Sequence, residues 1–160
     1  MWHQELNMQE RNKKITKKSY ISNNLEDTIE FAYNLAKNSK SGDIYCLEGD
    51  LGVGKTVIAK GMGKFFNVKE NITSPTFTIL KTYNLNNNSI KRLHHFDLYR
   101  IKNIEELLNI GFEEYINDKN SIIIIEWPEI AYELLPKNIK IIKISKVSSD
   151  SHDVREISIS

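Results

Sequence analysis

A glycine-rich segment near position 50 has the residue types and the spacing of a phosphate-binding loop. Its members are Gly49, Asp50, Leu51, Gly52, Val53, Gly54, Lys55 and Thr56. In a loop of the pattern Gly-x-x-x-x-Gly-Lys-Thr, the glycines let the backbone turn its N–H groups toward phosphate oxygens. The lysine reaches the β- and γ-phosphates, and the threonine hydroxyl ligates Mg²⁺. These eight residues therefore predict a nucleotide-binding site that also holds magnesium.

Two acidic residues further along the chain could complete such a site. Glu126 follows four consecutive isoleucines, and a carboxylate at the end of a parallel strand can hold magnesium or orient water. We favour the magnesium role for Glu126 over that of an ordinary acidic residue leaving a sheet. Asp97 ends another predicted strand, where it could join the metal shell, orient water or pair with Arg100. The spacing leaves these alternatives for Asp97 open.

Three other polar features lie near these carboxylates in the sequence. Residues 74–76, Ser-Pro-Thr, follow the predicted loop helix, where phosphate-loop proteins often place a mobile segment that senses the γ-phosphate. A simple turn before a strand is the alternative. His94 and His95 have no companion cysteine or second histidine cluster, which favours structural or surface histidines over metal ligands.

The absence of a guanine-recognition motif narrows the identity of the nucleotide. GTPases read guanine with an Asn-Lys-x-Asp element, and residues 117–120, Asn-Asp-Lys-Asn, have a different order. ATP is therefore the favoured nucleotide. Residues 22–24 and the strand that contains Arg155 are candidates for adenine contacts.

Apolar periodicity predicts strand–helix units on both sides of the loop. The first unit is a strand over 18–22 and a helix that Asn23 or Asn24 caps. A buried strand over 44–48 leads into the loop, and a second helix runs to about residue 66. The inward positions of the first helix are Leu25, Ile29, Ala32, Leu35 and Ala36; those of the second are Ile58, Met62, Phe65 and Phe66.

The rest of the chain changes to a strand pattern. An antiparallel hairpin is predicted, with its first strand carrying Phe77, Ile79, Lys81, Tyr83 and Leu85 on one face and its second over 90–97. A short helix over 104–110 lies between Asn103 and Gly111. Residues 122–125 form a strand buried on both faces, and 139–144 and 154–159 a last pair. We predict an α/β fold: three-layer, P-loop NTPase-like, with a mixed, mainly parallel central sheet and an antiparallel hairpin portion.

Composition limits the remaining possibilities. The 160 residues suit one domain over 18–160, preceded by a polar tail, 1–17, that we expect to be flexible. The net charge of +1 gives no large field to capture nucleic acid. Cys46 is the single cysteine, which excludes an internal disulfide and favours a buried thiol. No segment resembles a membrane span or a secretory signal, so we expect a cytoplasmic protein.

The sequence resembles the TsaE (YjeE) family, the P-loop ATPases of bacterial tRNA threonylcarbamoyladenosine (t6A) synthesis. The segments that carry the resemblance are EGDLGVGKT at 48–56, SPTF at 74–77, HFDLYR at 95–100, GFEEY at 111–115 and IEWPE at 125–129. Their order and spacing cover the chain from about residue 18. The family commonly has a second threonine or serine after the loop threonine, where this chain has Val57. The tail before residue 18 has no counterpart.

The resemblance implies an ATPase that uses ATP and Mg²⁺ and supports a partner enzyme. In that family the TsaD protein, paired with TsaB, transfers the threonylcarbamoyl group, and tRNA is met only through the complex. Carried over by motif, Lys55 and Thr56 bind phosphate and magnesium, and Glu126 completes the magnesium shell. Asp97 becomes a catalytic carboxylate, together with Lys55 and Glu126, and residues 74–76 a switch-like segment.

Two other functions compete with this interpretation. A small-molecule kinase could use the same loop, but such kinases usually close a lid that carries several arginines over the phosphate. This chain has four scattered arginines, Arg11, Arg92, Arg100 and Arg155, and no insertion of lid length. A binding module without turnover is the other alternative, in which Asp97 and Glu126 would have structural roles only.

Overall fold

One seven-stranded sheet runs through the residues that the computed structural model describes, 18–148, 150 and 152–160. The tail predicted over 1–17 lies outside the described residues. The strands are β1 (Lys18–Ser22), β2 (Ile44–Glu48), β3 (Leu80–Asn84), β4 (Arg92–Asp97), β5 (Ser121–Glu126), β6 (Lys140–Lys146) and β7 (Arg155–Ile159). The helices are α1 (Leu25–Lys37), α2 (Lys55–Phe65), α3 (Ile104–Asn109), α4 (Phe112–Ile116) and a 3₁₀ helix (Pro128–Leu134).

The sheet is parallel in its middle and antiparallel at both edges. Its order is β1-β7-β6-β2-β5-β4-β3. Strand β2 pairs in parallel with β5 and β6, and β4 pairs in parallel with β5. The antiparallel pairs are β1 with β7, β6 with β7, and β3 with β4. The predicted mixed sheet with an antiparallel hairpin portion is therefore confirmed.

Strand β5 separates two apolar cores. All six of its residues are buried. Because side chains alternate along a strand, Ile122 and Ile124 pack with the core beneath α1 and α2. Ile123 and Ile125 pack on the other face with Leu107, Phe112 and Ile116 of α3 and α4. The isoleucine run is the doubly buried strand that its composition predicted, and the helices on both faces make the three layers.

The two helices before and after β2 approach each other closely. Asn24 caps α1 by accepting the backbone N–H of Asp27 at 2.8 Å, as predicted. Gly61 of α2 lies so near α1 that an added Cβ would be 2.5 Å from Ala32 Cβ. The prediction that Leu25 faces inward is wrong, since Leu25 is 56% exposed. Its turn of α1 borders an open cavity beside the phosphate loop instead of packing against a helix.

The hairpin begins three residues later than the sequence predicts. Pro75 accepts a backbone hydrogen bond from Ile79 at 2.7 Å, which closes a turn. Ile79 itself has a φ of 69°, and Phe77 is 80% exposed. Neither residue can share a strand face with Tyr83, so the prediction for Phe77 and Ile79 is wrong. The antiparallel pairing of β3 and β4 is confirmed.

The segment between β4 and β5 contains one helix more than the sequence analysis predicted. Asn103 caps α3 as expected, by accepting the N–H of Glu106 at 3.0 Å. Gly111, with a φ of 78°, ends that helix and immediately begins α4. Within the described part of the chain, no helix combines the length and apolarity needed to cross a bilayer.

Candidate nucleotide-binding site

The glycine-rich loop joins the end of β2 to the start of α2, which is the context that a phosphate-binding loop requires. Gly49 has no room for a side chain, because a Cβ there would lie 2.6 Å from the carbonyl oxygen of Ile144. Gly54 precedes α2 with a φ of 120°, in the region that glycine favours. The loop conformation therefore depends on these glycines, and the N–H groups of the first turn of α2 provide a partial positive charge.

Lys55, the first residue of α2, is almost fully buried, with 5% exposure. Its ammonium group donates hydrogen bonds to the carbonyl oxygens of Gly49 and Asp50, the latter at 3.1 Å. The same group lies 3.8 Å from the ring centroid of Trp127. Burial lowers the pKa of Lys55, and the nearby carboxylate of Glu126 opposes this shift. The structure therefore holds a charged donor at the loop in a largely desolvated position.

Glu126 is held by one side chain on each carboxylate oxygen. The Thr56 hydroxyl donates to Oε1 at 3.0 Å. Nε2 of His95 lies 2.7 Å from Oε2. Glu126 and His95 are both buried, and Glu126 is the last residue of β5. The contact with Thr56 places this carboxylate beside the hydroxyl that the motif assigns to magnesium.

Asp97 lies directly beside Glu126, since the two residues are paired in the parallel register of β4 and β5. Ser74 and Thr76 both donate to its Oδ2, Thr76 at 3.1 Å. The backbone N–H of Tyr99 donates to Oδ1 at 3.0 Å. The segment 74–76 is thus linked to a carboxylate of the site.

Arg100 contacts an aromatic ring rather than a carboxylate. Its guanidinium carbon lies 4.1 Å from the ring centroid of Phe77. The ion pair of Asp97 with Arg100 that the sequence left open does not occur among the described residues.

These groups surround a cavity of about 330 Å³. Its lining residues are Leu51, Gly52, Gly54, Lys55, Thr56, Val57, Ser74, Thr76, Asp97, Tyr99, Glu126 and Trp127. The structure therefore brings Lys55, Thr56, Asp97 and Glu126 together. The loop residues Gly49 and Asp50 line a neighbouring cavity with Glu48 and Lys143 instead.

A further cavity of about 220 Å³ shares Gly52, Gly54 and Val57 with the main cavity. Val53, the remaining loop residue, lines it together with Asn24, Leu25, Thr28 and Arg155. Arg155 also donates to the carbonyl oxygen of Val53 at 2.8 Å. The two segments that the sequence offered as adenine contacts, around Asn24 and Arg155, thus meet beside the loop.

The donor atoms in the main cavity suit magnesium. The Thr56 hydroxyl and the carboxylates of Glu126 and Asp97 are hard oxygen donors, which Mg²⁺ prefers. Among the described residues, no group of three His, Cys, Asp or Glu side chains is arranged to hold a metal by itself. Magnesium bound with a nucleotide usually keeps several waters and takes phosphate oxygens, so few protein ligands are needed.

Sequence reasoning missed the contribution of two residues. His95, interpreted as a structural or surface histidine, contacts Glu126 directly. A signal existed, because His95 precedes Asp97 by two residues and must share its strand face. Trp127 has a φ of 55° and a ψ of 58°, and its ring lies 5.0 Å from that of Tyr99. No local pattern in the sequence indicates that conformation.

The strand–loop–helix unit, with two carboxylates at the ends of adjacent parallel strands, defines a P-loop NTPase-like protein. The family model described as Threonylcarbamoyl adenosine biosynthesis protein TsaE matches residues 22–157. This chain belongs to the TsaE family.

Individual relatives agree with this assignment. A Rickettsia felis protein named tRNA threonylcarbamoyladenosine biosynthesis protein TsaE is 46% identical over 116 residues, 72% of this chain and 65% of its own length. The match therefore spans slightly less than two thirds of that relative. A Bacillus subtilis protein of the same name is 34% identical over 82% of this chain and 79% of its own length. The crystal structure of Bacillus subtilis YdiB superposes with a TM-score of 0.72 at 30% identity, covering 90% of this chain and 84% of YdiB.

Proposed function

We propose that this protein binds ATP and Mg²⁺ and hydrolyses ATP in the cytoplasm, in support of tRNA threonylcarbamoyladenosine synthesis by TsaD and TsaB. Residues 18–160 would act as one P-loop ATPase domain. The observation that carries the proposal is the contact of Thr56 with Glu126 at 3.0 Å, directly beside Lys55 and Asp97. The names of the relatives support the pathway.

The phosphates of ATP would bind at the start of α2. There Lys55 would exchange its contacts with the carbonyl oxygens of Gly49 and Asp50 for contacts with the β- and γ-phosphates. Magnesium would supply neutralisation of the charge on the phosphate oxygens. The Thr56 hydroxyl and Glu126 would hold it on the protein side of the cavity.

We assign to Asp97 the role of orienting the attacking water. It lies at the strand end next to Glu126, and its oxygens accept hydrogen bonds from a segment that could move. Release of Ser74 or Thr76 from Oδ2 would free that oxygen to orient an attacking water. The adenine base would occupy the cavity of about 220 Å³ near Asn24 and Arg155.

The residues of this site give a chemical reason why partner proteins would stimulate hydrolysis. Phosphoryl transfer depends mainly on positioning and on stabilising negative charge. Among the described residues that line the main cavity, Lys55 is the single cation and none is an arginine. A partner could provide a positive group in trans or order residues 74–76 around the γ-phosphate. Because the net charge is only +1, tRNA would be met through the complex and not by this chain alone.

The test is phosphate release by the purified protein with and without the purified TsaB–TsaD pair. We expect slow turnover alone and concentration-dependent stimulation by the pair. Fast turnover that the pair leaves unchanged would refute the proposed partnership, and transfer of phosphate to a small acceptor would favour the kinase. No turnover under any condition would favour the binding module.

Two isosteric variants separate binding from hydrolysis in the same assay. Glu126→Gln and Asp97→Asn remove one negative charge each while keeping the size of the side chain. We expect ATP to remain bound while stimulated turnover falls at least about tenfold. Glu105→Gln, on the exposed face of α3, is the matched control and should retain activity. Full activity of both site variants would give these carboxylates a structural role only.

A further inference from the structure

His95 is a buried polar residue to which the proposed hydrolysis assigns no role. It has no exposed surface and lies in β4 opposite Ile124 of β5. Because side chains alternate along a strand, His95 shares a face with Leu93 and Asp97. Leu93 belongs to the apolar core beneath α2, so the imidazole is a polar ring at the boundary between that core and the site.

The hydrogen bonding of His95 gives a reason for its presence. An ionised carboxylate can only accept, so Nε2 of His95 donates to Oε2 of Glu126, 2.7 Å away. Nδ1 is buried and has no protein partner among the described residues. Burying an imidazole is unfavourable unless its polar atoms are hydrogen-bonded. An apolar side chain would therefore serve packing alone better than this histidine does.

We propose that His95 is a positioning residue that fixes the orientation of the Glu126 carboxylate toward Thr56. The proposal rests on the function proposed above, since it assigns Glu126 to the magnesium site. The last side-chain torsion of glutamate is broad, so a carboxylate held at one oxygen can still rotate. Thr56 holds Oε1 and His95 holds Oε2, which together stop that rotation. Partners behind a metal ligand typically matter by about 10–100-fold in metal affinity or activity.

The structure offers a matched control in the neighbouring residue. His94 is also buried, and its Nε2 lies 2.9 Å from a carboxylate oxygen of Asp118. As the adjacent residue in the strand, its side chain lies on the opposite face of the sheet from His95. His95→Leu and His94→Leu therefore each remove a buried imidazole–carboxylate contact, but only the first contact belongs to the site. His95→Gln retains an N–H donor that can reach Glu126.

The measurement is the affinity for ADP in Mg²⁺ and in EDTA, taken by calorimetry on the full chain. In His95→Leu we expect the enhancement by magnesium to fall about tenfold or more, while affinity in EDTA stays unchanged. His95→Gln should recover most of the enhancement, and His94→Leu should keep all of it. An unchanged enhancement in His95→Leu, or an equal loss in His94→Leu, would overturn the proposal.

A double variant keeps the test decisive if His95→Leu fails to fold, as judged by circular dichroism. The double variant uses His95→Asn, whose shorter side chain does not reach Glu126. If His95 acts through Glu126, adding His95→Asn to Glu126→Gln should cause no further loss of the magnesium enhancement. Independent, additive losses would overturn the positioning role. If magnesium does not change the ADP affinity of the parent protein, the proposed function is refuted, and this proposal with it. By contrast, an equal gain of ADP affinity from magnesium in the parent and in His95→Leu would refute the positioning role alone.

Discussion

Replacing Lys55 by methionine should separate nucleotide binding from folding stability. Methionine keeps a flexible apolar stem of similar length and removes the ammonium group. The ammonium donates charge-assisted hydrogen bonds, and loss of such a donor costs about 1.5–3 kcal/mol. We therefore expect affinity for ATP with magnesium to fall by about 10- to 100-fold.

The stability of the folded protein should respond much less to the same change. The residue Lys55 is 5% exposed, so folding desolvates its ammonium group, and the hydrogen bonds to the carbonyl oxygens of Gly49 and Asp50 offset that cost. Lys55→Met removes the desolvation cost together with the hydrogen bonds that offset it. The free energy of unfolding should therefore change by no more than about 1 kcal/mol. Lys60→Met is the matched control, because Lys60 is an exposed lysine of the same helix.

The pH dependence of stability gives an independent check with a definite sign. Burial lowers the pKa of Lys55 in the folded state, so between that value and the ordinary lysine pKa the unfolded chain binds more protons. The stability of the parent should rise with pH through that window, up to about pH 10.4, and Lys55→Met should lack this contribution.

Calorimetric titration and urea unfolding at several pH values measure these effects. Binding of ATP by Lys55→Met with the affinity of the parent would refute the role of the ammonium in phosphate binding. A large loss of stability without a change in affinity would make Lys55 a structural residue.

Three further predictions concern parts of the fold outside the cavity. In Gly61→Ala the added Cβ would lie 2.5 Å from Ala32 Cβ and 2.6 Å from the carbonyl oxygen of Ile29. Urea unfolding should show a loss of about 1–3 kcal/mol, although alanine is the better helix former; an increase in stability would refute the close packing of α1 and α2. Hydrogen bonds from Arg92 hold the pKa of Asp118 well below its usual range, so its stabilising effect is present above about pH 4 and is lost as the pH falls further. Unfolding of Asp118→Asn and the parent should therefore differ at pH 7 and converge in acid, and a difference that persists in acid would contradict this. Burial raises the pKa of Cys46 to about 12, so iodoacetamide at pH 8 should label it only after unfolding, as mass spectrometry can test; rapid labelling of the folded protein would show that the thiol is accessible.

Sequence reasoning succeeded where one short segment determines its own conformation. The loop glycines, the Asn24 cap and the isoleucine run of β5 each follow from local chemistry, and each occurs in the structure as predicted. The start of β3 did not follow in this way. There the hydrogen bond from Ile79 to Pro75 forms a turn in residues whose alternation had indicated a strand.

The arrangement of the site was harder to predict than its membership. Motif and position suggested Lys55, Thr56 and Glu126, and the family resemblance added Asp97. The structure places these four side chains around one cavity. The contact between His95 and Glu126 joins residues 31 apart, and it arises only when β4 and β5 pair in one register. The burial of Lys55 against Trp127 likewise depends on a backbone conformation that no pattern of residue types indicates.

Because Asp97 and Glu126 are paired across two strands, the geometry of the site also depends on the correct register of those strands. Side chains alternate between faces, so a slip of β4 by a single residue would move His95 and Asp97 to the face that α3 and α4 cover. A deletion or insertion inside either strand should therefore abolish the proposed ATP hydrolysis even when the sheet still forms. The connection over residues 98–120 leaves this register unchanged when its length varies. Natural variation in length is accordingly expected in that connection and not within the two strands.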